Sequence, residues 1–189
     1  MKIEQATKEE INELKAKFKK FNVDLLEEPS EYFNFVGIMD VYNYVLSEQE
    51  ANDLLGYNEH NLRYSSHFQK TFIQLFNIEK EVYVHVYKKG LSKAQFKFIL
   101  SSLNRREASF FRKLFTTKKG IYKIKDEETL SVFVKLSINE IYFSTFFFYS
   151  LDTVVVGNYD LCFPLYSKTI EGFNKCKQII EQNGLFIRS

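Results

Sequence analysis

Apolar positions along this chain follow two rhythms, a helical one in most of its length and an alternating one in short windows between. Thr7 with Glu10 three residues on forms a capping box, and Ile11, Leu14, Phe18 and Phe21 follow at helical spacing. The pattern predicts an amphipathic helix of about four turns, lysine-rich outside and packed on a core inside. Glu4, Glu9, Glu10 and Glu13 suit the start of that helix and argue against a membrane-surface role. After the break at Glu27-Glu28-Pro29-Ser30, residues 32–39 read as a short strand. Ser47 and Glu50 form a second capping box, opening a short helix that Gly56 closes.

Residues 58–76 predict a longer helix with Phe68, Phe72, Leu75 and Phe76 inward, and 81–87 alternate as a half-buried strand. Ser92 caps a helix whose apolar face is Phe96, Ile99, Leu100 and Leu103; Asn104 interrupts it, and 105–115 continue as a helix with Ala108, Phe111 and Phe115 inward. Thr116 to Gly120 is a turn, 121–124 a short strand, and Asp126 caps a helix carrying Leu130, Phe133, Val134 and Ser137 on one side.

The densest run of aromatic and β-branched residues lies at 139–167, and the rest of the chain is expected to pack around it. Residues 141–149 are apolar on both alternating faces, with Phe143, Thr145 and Phe147 pointing one way and Tyr142, Ser144, Phe146 and Phe148 the other. Such a strand needs cover on both sides. Breaks at Ser150-Leu151-Asp152 and Gly157-Asn158 separate it from Val154-Val155-Val156 and from 159–166, which together predict an antiparallel meander. Pro164 makes the third strand an edge or ends it there. Ser167 or Thr169 opens a last helix with Phe173, Cys176 and Ile180 inward, Asn183-Gly184 closes it, and Leu185 to Ile187 add a final strand. The expected fold class is α+β: an antiparallel meander over about 140–166, extended by the C-terminal strand and covered by several amphipathic helices from the first two-thirds of the chain. One domain, 1–189, is expected, helix-rich over 1–118 and sheet-rich over 119–189.

Composition changes this picture little. Hydrophobic residues make 45% of the chain and charged residues 26%, as in ordinary folded proteins. The Phe and Tyr excess, with no Trp, is accounted for as well by AT-rich codon usage as by function. A net charge of +2 implies no polyanion partner by itself, so any such claim must rest on clustering. Cys162 and Cys176 fall on different elements and read as free buried thiols, the apolar flanks of Cys162 raising its pKa and leaving it inert. The N-terminal stretch has neither an apolar signal core nor the acid-poor composition of a transit peptide, and no run reaches the roughly 20 apolar residues of a spanning helix. A cytoplasmic protein without membrane partners is expected.

Two constellations stand out. Tyr57, His60, Arg63, Tyr64 and His67 gather mostly on one side of a helix, at i, i+3, i+4 and i+7 from His60. The imidazoles are separated by about 10.5 Å along the axis, too far for one metal ion whose ligands sit about 2 Å from it. The cluster suits partner recognition through the Arg63 fork and flat tyrosines, or else is a solvated helix face. The second is a basic stripe, Arg105, Arg106, Arg112 and Lys113 followed by Lys118 and Lys119, which suits a phosphate backbone with an exposed Phe110 stacking on a base. No nucleic-acid-binding motif accompanies it.

Candidate catalysis is thin. His85 and Cys162 would need two strands to meet, no Gly-rich phosphate loop exists, and Glu127 and Glu128 are explained by a helix's first turn. No catalytic residue, metal or cofactor is assigned. The expected function is a non-catalytic intracellular protein-binding module, in concrete form an immunity-type or adaptor protein that caps a toxin or enzyme. Nucleic-acid binding through Arg105 to Lys119 is the alternative, and a carrier of a small apolar ligand a third reading.

Overall fold

The computed structural model describes residues 1–2, 4–19, 31–55, 59–86, 91–116 and 120–188. Among these, the chain forms α1 (Lys8–Phe18), β1 (Phe35–Asp40), α2 (Glu48–Leu54), α3 (Glu59–Glu79), β2 (Val82–Val86), α4 (Lys93–Ser101), α5 (Arg105–Thr116), β3 (Ile121–Ile124), α6 (Glu127–Ile138), β4 (Ser144–Phe148), β5 (Thr153–Val156), β6 (Phe163–Ser167), α7 (Ile170–Gln182) and β7 (Phe186–Arg188). The strands make one sheet in the order β3-β2-β4-β5-β6-β1-β7, with every neighbouring pair antiparallel. This is the α+β class the pattern predicts.

Local capping chemistry sets where the helices begin. Thr7, Ser47 and Ser92 each accept the backbone N–H three residues on, and Glu10, Glu50 and Gln95 answer with their side chains. Asn104 does more than interrupt: its side chain accepts from the N–H groups of Arg106 and Glu107 while Glu107 accepts from its own N–H, so it caps α5. Gly184 takes the left-handed conformation at φ 73° behind α7, where Leu185 N–H reaches the Ile180 carbonyl.

The meander forms as β4, β5 and β6, but its surroundings differ from expectation in three ways. The first strand starts at Ser144 because residues 139–142 close α6, Ile141 and Tyr142 both donating to the Leu136 carbonyl. The third strand is internal: β6 pairs with β1 along its length, and Pro164 sits one residue beyond the last β5 partner, Leu165, so its missing N–H interrupts no ladder on that side. The C-terminal strand does extend the sheet, with β1 inserted between it and the meander. The sheet therefore takes in β1 and β2, the two short strands expected within the helix-rich part of the chain, and α6 and α7 join α3 as its cover.

Both faces of β4 are buried, as its double-sided pattern requires. Phe146 and Phe148 enter the larger core under α3, where Phe72 lies 4.6 Å from Phe146 between ring centroids. Phe147 enters a smaller core under α1, 5.4 Å from Phe18. Lys17 fastens α1 there, pairing with Asp152 at 2.7 Å and standing 3.9 Å over the Tyr149 ring.

At the other end of α1, Lys123 of β3 pairs with Glu10 at 2.6 Å and Glu81 at 3.1 Å. Burial pushes the Glu10 carboxyl up, but the Lys123 ammonium, the Thr7 N–H and the Tyr83 hydroxyl together hold it at about 2. A folded-state pKa below the unfolded value gives stability that is present above about pH 4.5 and lost as pH falls toward 2. Acid titration followed by circular dichroism should therefore show that window, and Glu10→Gln should be less stable at pH 7 yet flatter between pH 4.5 and 2.

Candidate interaction site

At one end of the sheet, where β1 runs out beside the N-terminal half of α3, five rings follow one another. Tyr44, Tyr42, His60, Tyr64 and His67 have successive centroid separations of 6.2, 5.8, 5.2 and 5.8 Å, and the His60 imidazole lies nearly parallel to Tyr42, 12° between planes. The helical spacing places His60, Tyr64 and His67 in line, and the loop after β1 supplies the tyrosines. His60 is 4% exposed and Tyr64 and His67 are half-buried, so this side of α3 is a covered seam more than a solvated face. Arg63 stands exposed beside it. Tyr57 lies outside the described residues.

The members of the seam do different things. His67 donates from Nδ1 to the Asn183 carbonyl at 2.6 Å, which ties α3 to the end of α7. Burial lowers the His60 pKa, the carboxylates of Asp160, Asp40 and Glu140 raise it, and Arg63 lowers it, with burial prevailing; among the described residues its Nε2 has no hydrogen-bond partner. Burial likewise raises the Tyr42 hydroxyl, followed by the influence of Tyr64.

Behind the seam lies a polar knot of which the sequence carries no sign. Asp40, almost wholly buried, accepts from Arg188 Nε and Nη2, both at 2.7 Å to Oδ2, and from the Tyr42 backbone N–H at 3.0 Å on Oδ1. The Cys162 thiol donates to the same carboxylate at 3.2 Å, and Arg188 reaches its sulfur at 3.5 Å. Burial, then the Asp40 carboxylate, pushes the Cys162 thiol up to about 12, outweighing Arg188. Such a thiol is no thiolate nucleophile near neutral pH. His85 is no base for it either, since β4 and β5 separate β2 from β6, about 14 Å at the usual strand spacing.

Three residues with left-handed backbone lie at the same end. Asp160 and Leu161, within the 3-10 turn Tyr159–Leu161, have φ of 55° and 57°, and Glu140 has 53°. A buried leucine in that conformation is uncommon and costs about 1–2 kcal/mol. Glu140 helps hold the turn by accepting from the Asp160 N–H at 2.8 Å, and Asn61 of α3 donates to Glu140 and to the Ile138 carbonyl. The result turns Cys162 inward and leaves Tyr159 outside, its ring edge-on to Phe143.

These segments expose several large apolar residues among polar ones. Val45 is 73% exposed, Leu62 69% and Tyr159 61%; Tyr44 and Phe186, the latter the register partner of Asp40, are also exposed.

The basic stripe fares differently. Arg105, Arg106, Arg112 and Lys113 all lie on the exposed face of α5, while Lys118 and Lys119 lie outside the described residues. Phe110 is 5% exposed and packs edge-on against Phe133, so it is no stacking platform. α5 is covered from two sides, by α4 through Phe96 against Phe111 and by α6 through Phe133, and Phe110 faces the second of these. Under the meander, Phe68, Phe72, Phe146 and Phe163 fill the space with rings 4.6 to 6.2 Å apart.

Fold and site together define an α+β protein with a fully antiparallel seven-stranded sheet and an aromatic seam at one end. Neither family models, nor curated proteins, nor solved structures match this chain. Among the described residues no helix is long and apolar enough to cross a membrane.

Proposed function

We propose that the protein is a non-catalytic protein-binding module whose docking surface is the end of the fold around the aromatic seam, with an immunity-type or adaptor role as its concrete form. The observation that carries this reading is the set of exposed large apolar residues, Tyr44, Val45, Leu62, Tyr159 and Phe186, on segments fastened together around His60. Exposed apolar area gathered in one region costs solubility and is characteristic of interaction sites, and tyrosine with a neighbouring arginine, here Arg63, is the composition of interface hot spots. The strained Asp160-Leu161 backbone and the buried Asp40–Arg188 pair hold the two loops that present it, so little ordering is left for the moment of binding. Two unpaired cysteines agree with action in a reducing compartment, the cytoplasm.

The test is affinity capture from the native cell after nuclease treatment, comparing the wild-type protein with Tyr44→Ser/Val45→Ser/Tyr159→Ser. A stoichiometric protein companion should stay with the wild type and leave the variant at least tenfold faster, since truncated hot spots commonly cost about 2 kcal/mol each. A companion equally retained by both, or none with either, contradicts the reading.

A further inference from the structure

Charge is segregated along this chain far more than its total suggests. Between residues 88 and 125 there are twelve lysines and arginines against one acid, Glu107, a net of +11; the remaining residues therefore carry −9, for the chain's total of +2. The structure shows where part of this charge goes. Lys123 and Lys125 are spent on Glu10, Glu81 and Glu4 on the α1 side of the sheet. Glu107 turns away to meet Lys135 at 2.9 Å, which removes the one acid from the outer side of α5. What α5 presents to solvent is Arg105, Arg106, Ser109, Arg112, Lys113 and Thr116, at i, i+1, i+4, i+7, i+8 and i+11. That face contains nothing but cations and small hydroxyl residues.

Stability does not account for this arrangement. Arg105 and Arg106 stand in the first turn of α5, where the helix dipole disfavours positive charge. Only Arg106 is offset, by Glu128 at 2.8 Å; Arg105, Arg112 and Lys113 have no ion-pair partner among the described residues. Arg106, Ser109 and Lys113, with Met1, Lys2 and Phe110, also line a surface hollow of about 440 Å³. On α4, one turn before the three-residue connection to α5, Phe98 is 61% exposed and follows the exposed Lys97. It offers the flat ring that the buried Phe110 does not.

We infer that the outer face of α4 and α5 binds the phosphodiester backbone of a single-stranded nucleic acid, independently of the apolar docking surface. Arg105 and Arg112 suit phosphate better than they suit carboxylates scattered on a protein, because each guanidinium forks onto two phosphate oxygens. The i, i+7 repeat of cations spans about 10.5 Å along the helix, room for successive phosphates. Phe98 supplies stacking to an unpaired base, an interaction an unbroken duplex does not offer.

The experiment is fluorescence anisotropy of a labelled 20-nucleotide single-stranded RNA, titrated with the full chain between 50 and 300 mM KCl. Salt-dependent binding is expected, and Arg105→Gln/Arg112→Gln should make the plot of log K against log salt shallower by about 1.4, at roughly 0.7 for each phosphate that is no longer neutralised. Phe98→Ser should weaken binding several-fold with the slope unchanged. Tyr44→Ser/Val45→Ser/Tyr159→Ser should bind RNA as the wild type does, so the two surfaces succeed or fail separately. The inference is overturned by absence of binding at 50 mM KCl, or by an unchanged slope in the arginine variant. Equal affinity for polyglutamate or for phosphatidylserine vesicles also overturns it, in favour of an acidic protein or a membrane surface.

Discussion

Replacing Phe72 with alanine is expected to lower the stability of the protein by about 3–5 kcal/mol, the upper end of what a single truncation does. Phe72 is wholly buried where α3 meets the sheet, with ring centroids 4.6 Å from Phe146, 6.1 Å from Phe148 and 6.2 Å from Phe163. It touches strands from two parts of the meander, so neither strand can close the space without leaving the other. Native domains have only about 5–15 kcal/mol in hand, and a loss of this size takes a large share. For a chain of this length it corresponds to a fall in Tm of roughly 6–20 °C. Leu62→Ser, ten residues earlier on the exposed side of the same helix, should change stability by no more than about 0.5 kcal/mol. A urea titration of both variants checks the contrast.

Arg188→Met should come close to the same loss, about 3 kcal/mol, for a different reason. Removing one member of a buried ion pair leaves the other desolvated and unmatched. Among the described residues, Asp40 would keep only the Tyr42 N–H and the Cys162 S–H. The double variant Asp40→Asn/Arg188→Met removes the stranded charge and should recover a good part of the loss. Because Arg188 lies on β7 and Asp40 ends β1, the single variant should also speed amide exchange in residues 38–46 and 186–188 while leaving β4 and β5 protected. A uniform loss across the sheet would mean that the pair acts on the whole fold and not on this end of it.

Much of the local structure is written in local sequence. The capping pairs Thr7 with Glu10, Ser47 with Glu50 and Ser92 with Gln95 start three helices where the spacing places them, because each depends on residues within one turn. The double-sided apolar pattern around Phe146, Phe147 and Phe148 announces a strand covered on both faces, and both covers exist. What that pattern leaves open is which strand lies beside which. The insertion of β1 between β6 and β7 is a matter of pairing over more than a hundred residues, and alternation in β1 is the same whether its neighbours are early or late in the chain.

The site divides in the same manner. His60, Tyr64 and His67 are recognisable as one helix face, but burial of that face depends on Tyr42, brought there by a loop that periodicity does not place. Asp40 and Arg188 meet across 148 residues. Phe110 deceived because α5 packs on two neighbours, so its buried arc is wider than the stripe of Ala108, Phe111 and Phe115. The charge bias of residues 88–125 is plain in the sequence, yet it gains meaning only when α5 shows which cations are neutralised and which are not.

Docking of partners at the aromatic end of the fold is tested most directly by hydroxyl-radical footprinting of the complex retained after nuclease treatment, read peptide by peptide against the free protein. Protection of Tyr44, Val45, Leu62 and Tyr159, with Phe98 unchanged, is the predicted result. Unchanged labelling at those four residues, or protection confined to α4 and α5, would contradict it.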